Sequence, residues 1–390
     1  MSTDNPLLEV DRLIDDRRTR IIVCCGSGGV GKTTTAAAIG LRAAERGRQV
    51  CVLTVDPARR LAQSMGLTSL DNTPRLVDGT DDEAGGSLHA MMLDMKRTFD
   101  EIVEAHADPA RAAQILANPF YQSLSSSFSG TQEYMAMEKL GQLRRSDEWD
   151  LIVVDTPPSR SALDFLDAPE RLGRFLDGRL IKVLIAPAKA TRPFGRVLNA
   201  GLSVMTGALT KLLGGQVLRD AQTFISAFDT MFGGFRERAD ATYKLLQAPG
   251  TSFLVIATPE PDALREASYF VERLAEERMP LAGLILNRVH SLIGSGAGIV
   301  PLSAARSLAA AETLEAMPNE GGASTSSASH SVTAAALRLH AERMNLGERE
   351  RRVAGSFMSA HPAVPVVEVP ALPDDVHDLA GLRRVGEAFA

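Results

Sequence analysis

Short apolar runs bounded by turn residues recur along the chain, and each reads as a strand buried on both faces of a sheet. The first is Ile21-Ile22-Val23-Cys24-Cys25. A Gly-rich turn follows, then an Ala-rich stretch from about Thr33 to Arg46 that predicts a helix. The run from Gln49 to Asp56 predicts a second strand. Strand, turn, helix and strand in that order form a βαβ unit, whose crossover joins parallel strands. Further buried strands are predicted at Leu88–Leu93, Leu151–Asp155, Phe253–Ala257, Ala282–Asn287 and Val364–Val369. Such runs continue to the end of the chain, so one sheet is expected to span residues 1–390 as a single domain, with insertions between its strands. The fold class is α/β, a mostly parallel sheet flanked by helices.

Two of the insertions read as helical, at about 96–146 and 161–248. Pro109 and Pro119 punctuate the first. In the second, Leu218, Ala221, Ile225, Phe228, Phe232 and Phe235 step by three and four and trace one apolar face. The preceding stretch, Leu198 to Leu213, carries a wider face with Leu202, Met205 and Leu209. The segment from about Gly294 to Ser331 is rich in Ala, Ser and Gly, has little to bury, and is expected to be a disordered loop. The chain holds no internal repeat.

Composition narrows the function classes. Aromatic residues are only 5% of the chain, so Leu, Val, Ile and Ala must fill the core. A net charge of −6 speaks against a nucleic-acid partner held by a general positive field. The three cysteines, Cys24, Cys25 and Cys51, lie inside apolar runs and read as reduced, buried strand residues. No CxxC occurs, so no zinc site is expected. The first residues are acidic and lack the basic start and apolar block of a leader. No uncharged apolar run approaches the roughly 20 residues that cross a bilayer. The expected location is the cytoplasm, with a peripheral place at a membrane left open.

The strongest local signal is Gly26-Ser27-Gly28-Gly29-Val30-Gly31-Lys32-Thr33, which fits G-x-x-x-x-G-K-[ST]. It follows an apolar strand and precedes a helix, the context this phosphate-binding loop needs. Its glycines let the backbone curl so that successive N–H groups face phosphate oxygens, and the helix adds its positive end. Lys32 is suited to the β- and γ-phosphates and the Thr33 hydroxyl to a Mg²⁺ shell. The expected ligand is Mg·ATP, the sheet is that of a P-loop NTPase, and residues Gly28, Gly29, Val30, Gly31, Lys32, Thr33 and Thr34 form the phosphate cradle.

Two carboxylates gain meaning from that loop. Asp155 closes the run Leu151–Val154 and stands at a strand's C-terminal end, where open α/β sheets bind ligands. It is suited to supporting Mg²⁺ directly or through water. Asp56 ends the second strand in the same manner, followed by Pro57, and is suited to orienting the water that attacks the γ-phosphate. Either one alone would more often be a strand-end turn or a helix cap.

The doubled-glycine loop, Asp56-Pro57-Ala58 after the second strand and Asp155-Thr156-Pro157-Pro158 after the later one resemble the arsenite-pump (ArsA-type) ATPase family. That family includes the ATPase that targets tail-anchored membrane proteins and is related to the ParA/MinD and nitrogenase iron protein group. The likeness extends over most of the chain, including Met92-Leu93-Asp94 through Gly130-Thr131-Gln132-Glu133-Tyr134. It implies that Asn287 reads adenine and that the segment from Val369-Pro370 to Val376, with the helix Leu379 to Phe389, closes beside the base. It also implies a cycle: two subunits close face to face over ATP, hydrolysis opens them, and helical insertions pass the motion to a client. Matched residue by residue, Lys32 and Thr33 hold phosphate and metal, Asp56 positions water and Asp155 supports the metal.

The departures bear on mechanism. Members usually carry a lysine at the second loop position that reaches the partner's nucleotide; here that residue is Ser27. The family's DPAH reads Asp56-Pro57-Ala58-Arg59, and its later pattern ending in Gly-His reads Ser159-Arg160-Ser161. Three explanations fit: a heterodimer with a lysine-bearing paralogue, substitution by Arg59 or Arg160 in a homodimer, or slow turnover with ATP as a conformational ligand. The cysteines that gate a metalloid pump are absent, which argues against an arsenite-efflux motor. The faces carrying Met205, Leu209, Phe224, Phe228, Met231 and Phe232 either line a groove for a hydrophobic client helix or membrane protein, or pack on each other and the sheet. Two function classes follow, an energy-converting ATPase that drives a client and a nucleotide-dependent assembly switch.

Overall fold

This computed structural model describes residues 5–55, 60–119, 121–122, 131–157, 237–290, 302–317 and 324–389. Eight strands form one sheet: β1 (Ile21–Cys25), β2 (Gln49–Thr54), β3 (Arg75–Leu76), β4 (Ser87–Met92), β5 (Leu151–Asp155), β6 (Thr251–Ala257), β7 (Leu281–Val289) and β8 (Val366–Pro370). Their order is β3-β4-β2-β5-β1-β6-β7-β8. All neighbours run parallel except β3 with β4. The sheet is that of an α/β P-loop fold. Every residue of β1, β5 and β6 is buried, as expected for continuous apolar runs covered on both faces.

The eleven described helices are α1 (Val10–Asp15), α2 (Lys32–Glu45), α3 (Arg60–Ser64), α4 (Met95–His106), α5 (Pro109–Leu116), α6 (Thr131–Ser146), α7 (237–247), α8 (Pro261–Glu276), α9 (Ala304–Ala316), α10 (Ser324–Ala360) and α11 (Leu379–Glu387). Pro109 opens α5 at its first turn, where a missing N–H costs nothing, and Asp108 caps it by accepting from Arg111 N. Helix α2 is mostly buried along its Ala-rich length and packs against β1, β2 and α11.

One edge of the sheet is closed by the chain's own beginning. Leu8 N donates to Val366 O and Val366 N to Pro6 O, so that the segment before α1 covers β8. Strand β3 was not expected; its two residues are exposed and carry no apolar pattern.

The segment 294–331 corrects the sequence reading. Of it, 302–317 and 324–331 are described, and α9 and the start of α10 occupy them instead of a disordered loop. Alanine is the best helix former, and this propensity outweighs the scarcity of large apolar residues. Helices α9 and α10 pack as a hairpin through Ala304, Leu308, Ala341 and Met344, with Arg338 pairing Glu315. Residues 158–236, which include most of the second insertion, its Met and Phe faces and Arg160, lie outside the described residues.

Candidate functional site

Parallel strands deliver their C-terminal ends to one edge, and the described candidates gather there. Asp155 ends β5 with Cys24 of β1 on one side and Thr54 of β2 on the other. It is fully buried, and its Oδ2 accepts from Thr33 Oγ1 at 2.7 Å and from Thr54 Oγ1 at 2.8 Å. The carboxylate thus joins the first turn of α2 to the ends of two strands. Just beyond it, Thr156 Oγ1 donates to Cys24 O at 2.8 Å and ties the outgoing chain to β1.

Between β1 and α2 the loop is shaped by side chains that hold its carbonyls. Lys32 is buried, and its Nζ donates to Ser27 O at 2.7 Å. Asn287 Nδ2 donates to Val30 O at 2.8 Å, and Arg288 Nη1 to Gly29 O at 3.2 Å. A loop whose carbonyls are drawn aside in this way offers its N–H groups to an anion. Gly31 caps α2 with φ +94°, and a Cβ there would lie 2.3 Å from Asn287 Nδ2. At Gly26 a Cβ would lie 2.1 Å from Ile256 O, so the loop leaves β1 pressed against β6.

A cleft of about 680 Å³ opens beside this loop. Gly31 and Thr34 line it on the α2 side, Asn287, Arg288 and His290 on the β7 side, and Pro370 through Leu372 on the β8 side. Gly31 belongs to both cleft and loop, and Asn287 of the cleft donates to the loop at Val30, so the two are continuous and suit a ligand with an anionic and an apolar end. His290 is held from behind: Glu350 of α10 accepts from its backbone N–H at 2.8 Å and pairs with Nδ1 at 2.7 Å.

Burial pushes the Cys25 and Cys51 thiols up to about 12 and Cys24 well above its ordinary value, the nearby Asp155 carboxylate adding to the effect at Cys24. These sulfurs are packing groups in this structure.

A magnesium ion suits the donors present. The Thr33 hydroxyl and the Asp155 carboxylate are hard oxygen ligands, and Mg²⁺ commonly takes one or two protein oxygens with the rest from phosphate and water. Among the described residues no cluster of three or more His, Cys, Asp or Glu side chains could hold a metal ion. The group expected from sequence is therefore brought together at Gly28–Thr34, Asp155, Asn287 and Pro370. Asp56 and Arg59 lie outside the described residues.

Thr54, Arg288, His290 and Glu350 were not foreseen. Thr54 follows from the register of β2 on β5, and Glu350 from a contact 60 residues away. Arg288 carried one available signal, its place next to Asn287.

Against known proteins, a profile of the anion-transporting ATPase family matches residues 19–292. An ATPase GET3 of Ajellomyces dermatitidis is 26% identical over 282 residues, covering 72% of this chain and 76% of its own. An ATPase get3 of Aspergillus terreus is 26% identical over 292 residues, with coverage of 73% and 78%. One from Pyrenophora tritici-repentis is 24% identical over 285 residues, with coverage of 71% and 76%.

Proposed function

The chain belongs to the anion-transporting ATPase family, and we propose that it is an Mg·ATP-hydrolysing enzyme that couples the nucleotide cycle, as a dimer, to a client or membrane partner. The observation that carries the reading is the pairing of Thr33 with Asp155 at 2.7 Å, directly beside the buried Lys32. A carboxylate, a hydroxyl and an ammonium at one strand edge supply what a metal–triphosphate needs.

In this reading the N–H groups of Gly28–Thr34 cradle the phosphates, and Lys32 exchanges Ser27 O for the β- and γ-oxygens. Thr33 and Asp155 hold Mg²⁺, which when bound neutralises charge on the transferring phosphoryl group. Asp56 orients the attacking water. Asn287 and Pro370 bracket the base, since both line the cleft that begins at Gly31.

The partner is a second copy or a lysine-bearing paralogue, and the client a hydrophobic helix or membrane protein. In the same reading the chain works in the cytoplasm with access to a membrane surface. Among the described residues no helix is long and apolar enough to cross a membrane. Ser27 favours a second reading, a nucleotide-dependent assembly switch with little turnover, because the loop carries no cation at that position.

Sedimentation of the purified chain with Mg²⁺ and a non-hydrolysable ATP analogue, against ADP, tests the cycle. A dimer with the analogue that relaxes with ADP supports it; a monomer in both, with or without a lysine-bearing paralogue, contradicts it.

A further inference from the structure

Arg288 stands out on three separate grounds. It is a non-glycine residue with φ +59°, and among the described residues the others with positive φ, Asp147 and Arg278, lie outside strands. The left-handed conformation falls within β7, where the pairing with β8 shifts register between Asn287 and Val289. Irregularities of this kind re-aim side chains beside functional sites, and a strained backbone that persists there points to a use. The side chain so aimed is exposed, lines the nucleotide-sized cleft, and rests on the phosphate loop through Nη1 to Gly29 O at 3.2 Å.

Charge sharpens the point. Lys32 is the one side-chain cation within the loop sequence Gly26–Thr33, and Arg288 brings a second positive group to the same loop. Among the described residues no carboxylate forms an ion pair with Arg288, although Asp374 and Asp375 line the same cleft. Holding two cations to one short loop is favourable when an anion lies between them. One guanidinium N–H engages Gly29 O, and the others of its fork are suited to phosphate oxygens.

We propose that Arg288 is a phosphate-contacting residue of this chain's own nucleotide site, exchanging Gly29 O for the polyphosphate when nucleotide enters. The inference rests on the reading of the cleft as an ATP site and adds a residue to it. Asn287 fixes the start of the movement, because its Oδ1 accepts from Arg288 N at 3.0 Å while its Nδ2 grips Val30 O.

The test is the affinity of the full chain for Mg·ATP and for adenosine, in wild type, Arg288→Gln, Arg288→Lys and Lys32→Ala. Arg288→Gln keeps a donor for Gly29 O and loses the charge; it is expected to weaken Mg·ATP binding on the order of ten- to a hundredfold, the range of a charged hydrogen bond. Arg288→Lys is expected to retain most of the affinity, and adenosine to bind all Arg288 variants alike. If Arg288→Gln does not fold, Arg288→Gly, which suits φ +59°, carries the same expectation. Equal Mg·ATP affinity in wild type and Arg288→Gln, or an equal loss for adenosine, overturns the inference while Lys32-dependent binding leaves the ATP site standing. A wild-type chain that binds no Mg·ATP, or binds it as well after Lys32→Ala, overturns both.

Discussion

A Cβ on Gly31 would lie 2.3 Å from Nδ2 of Asn287, the atom that donates to Val30 O. The glycine at the start of α2 and the asparagine near the end of β7 therefore share one small space, although 256 residues separate them. The loop's φ of +94° at Gly31 makes the second demand on that position.

Gly31→Ala meets both constraints. The left-handed conformation alone is expected to cost about 1–2 kcal/mol, seen as a lower midpoint in denaturant, and nucleotide binding is expected to be lost with the cradle. Adding Asn287→Ala removes the contact but not the backbone cost, so it should recover part of the stability and none of the affinity. Full stability in Gly31→Ala would show that the loop relaxes freely.

The proposed metal site has a graded test. Asp155→Asn keeps shape and removes charge, and is expected to raise the Mg²⁺ needed for half-maximal turnover about 10- to 100-fold. Thr33→Ser, which keeps the hydroxyl on Asp155 Oδ2, should stay near wild type, and Thr33→Val should follow Asp155→Asn. A magnesium titration of ATP hydrolysis reads all three.

How far the sequence foretold this arrangement depends on the range of the interactions involved. Ile21–Cys25 and Leu151–Asp155 were legible because a strand buried on both faces leaves a local apolar run. The loop between β1 and α2 was legible for a similar reason, since its glycines and Lys32 lie within eight consecutive residues. Helix α9 and the first turns of α10 were misread because Ala, Ser and Gly suggested too little to bury; Ala341 and Met344 of α10 pack on α9, Ala354 and Phe357 reach the main core, and alanine's propensity sustains the helix between such contacts. Thr54, Arg288 and Glu350 escaped notice because each acquires its role from register or from a distant element. No local pattern marks Thr54 or Glu350, and Arg288 is marked only by its place next to Asn287.

Glu350 holds the end of β7 through both the backbone N–H and Nδ1 of His290. Glu350→Gln is expected to raise the KM for ATP about two- to tenfold, the range of one net hydrogen bond, with kcat nearly unchanged. The effect would arise because Asn287 and Arg288 lose a fixed support. A kcat loss with KM unchanged would mean that α10 acts on the chemistry and not on the strand.

The cysteines give a prediction about inhibitors. With burial raising Cys25 and Cys51 to about 12 and Cys24 well above its ordinary value, almost no thiolate exists near pH 8. Native protein should leave a disulfide-exchange reagent such as Ellman's unreacted until denaturant is added, and arsenite should not change the hydrolysis rate. Rapid titration of even one thiol in the native state would contradict this.

Everything proposed for this chain depends on Lys32 and its loop turning over Mg·ATP. Steady-state ATP hydrolysis by the purified chain, with and without Mg²⁺ and beside Lys32→Ala, is the decisive measurement. Magnesium-dependent turnover is expected, falling at least about a hundredfold in Lys32→Ala. Hydrolysis that survives the loss of Lys32, or that proceeds without a divalent cation, would contradict that dependence.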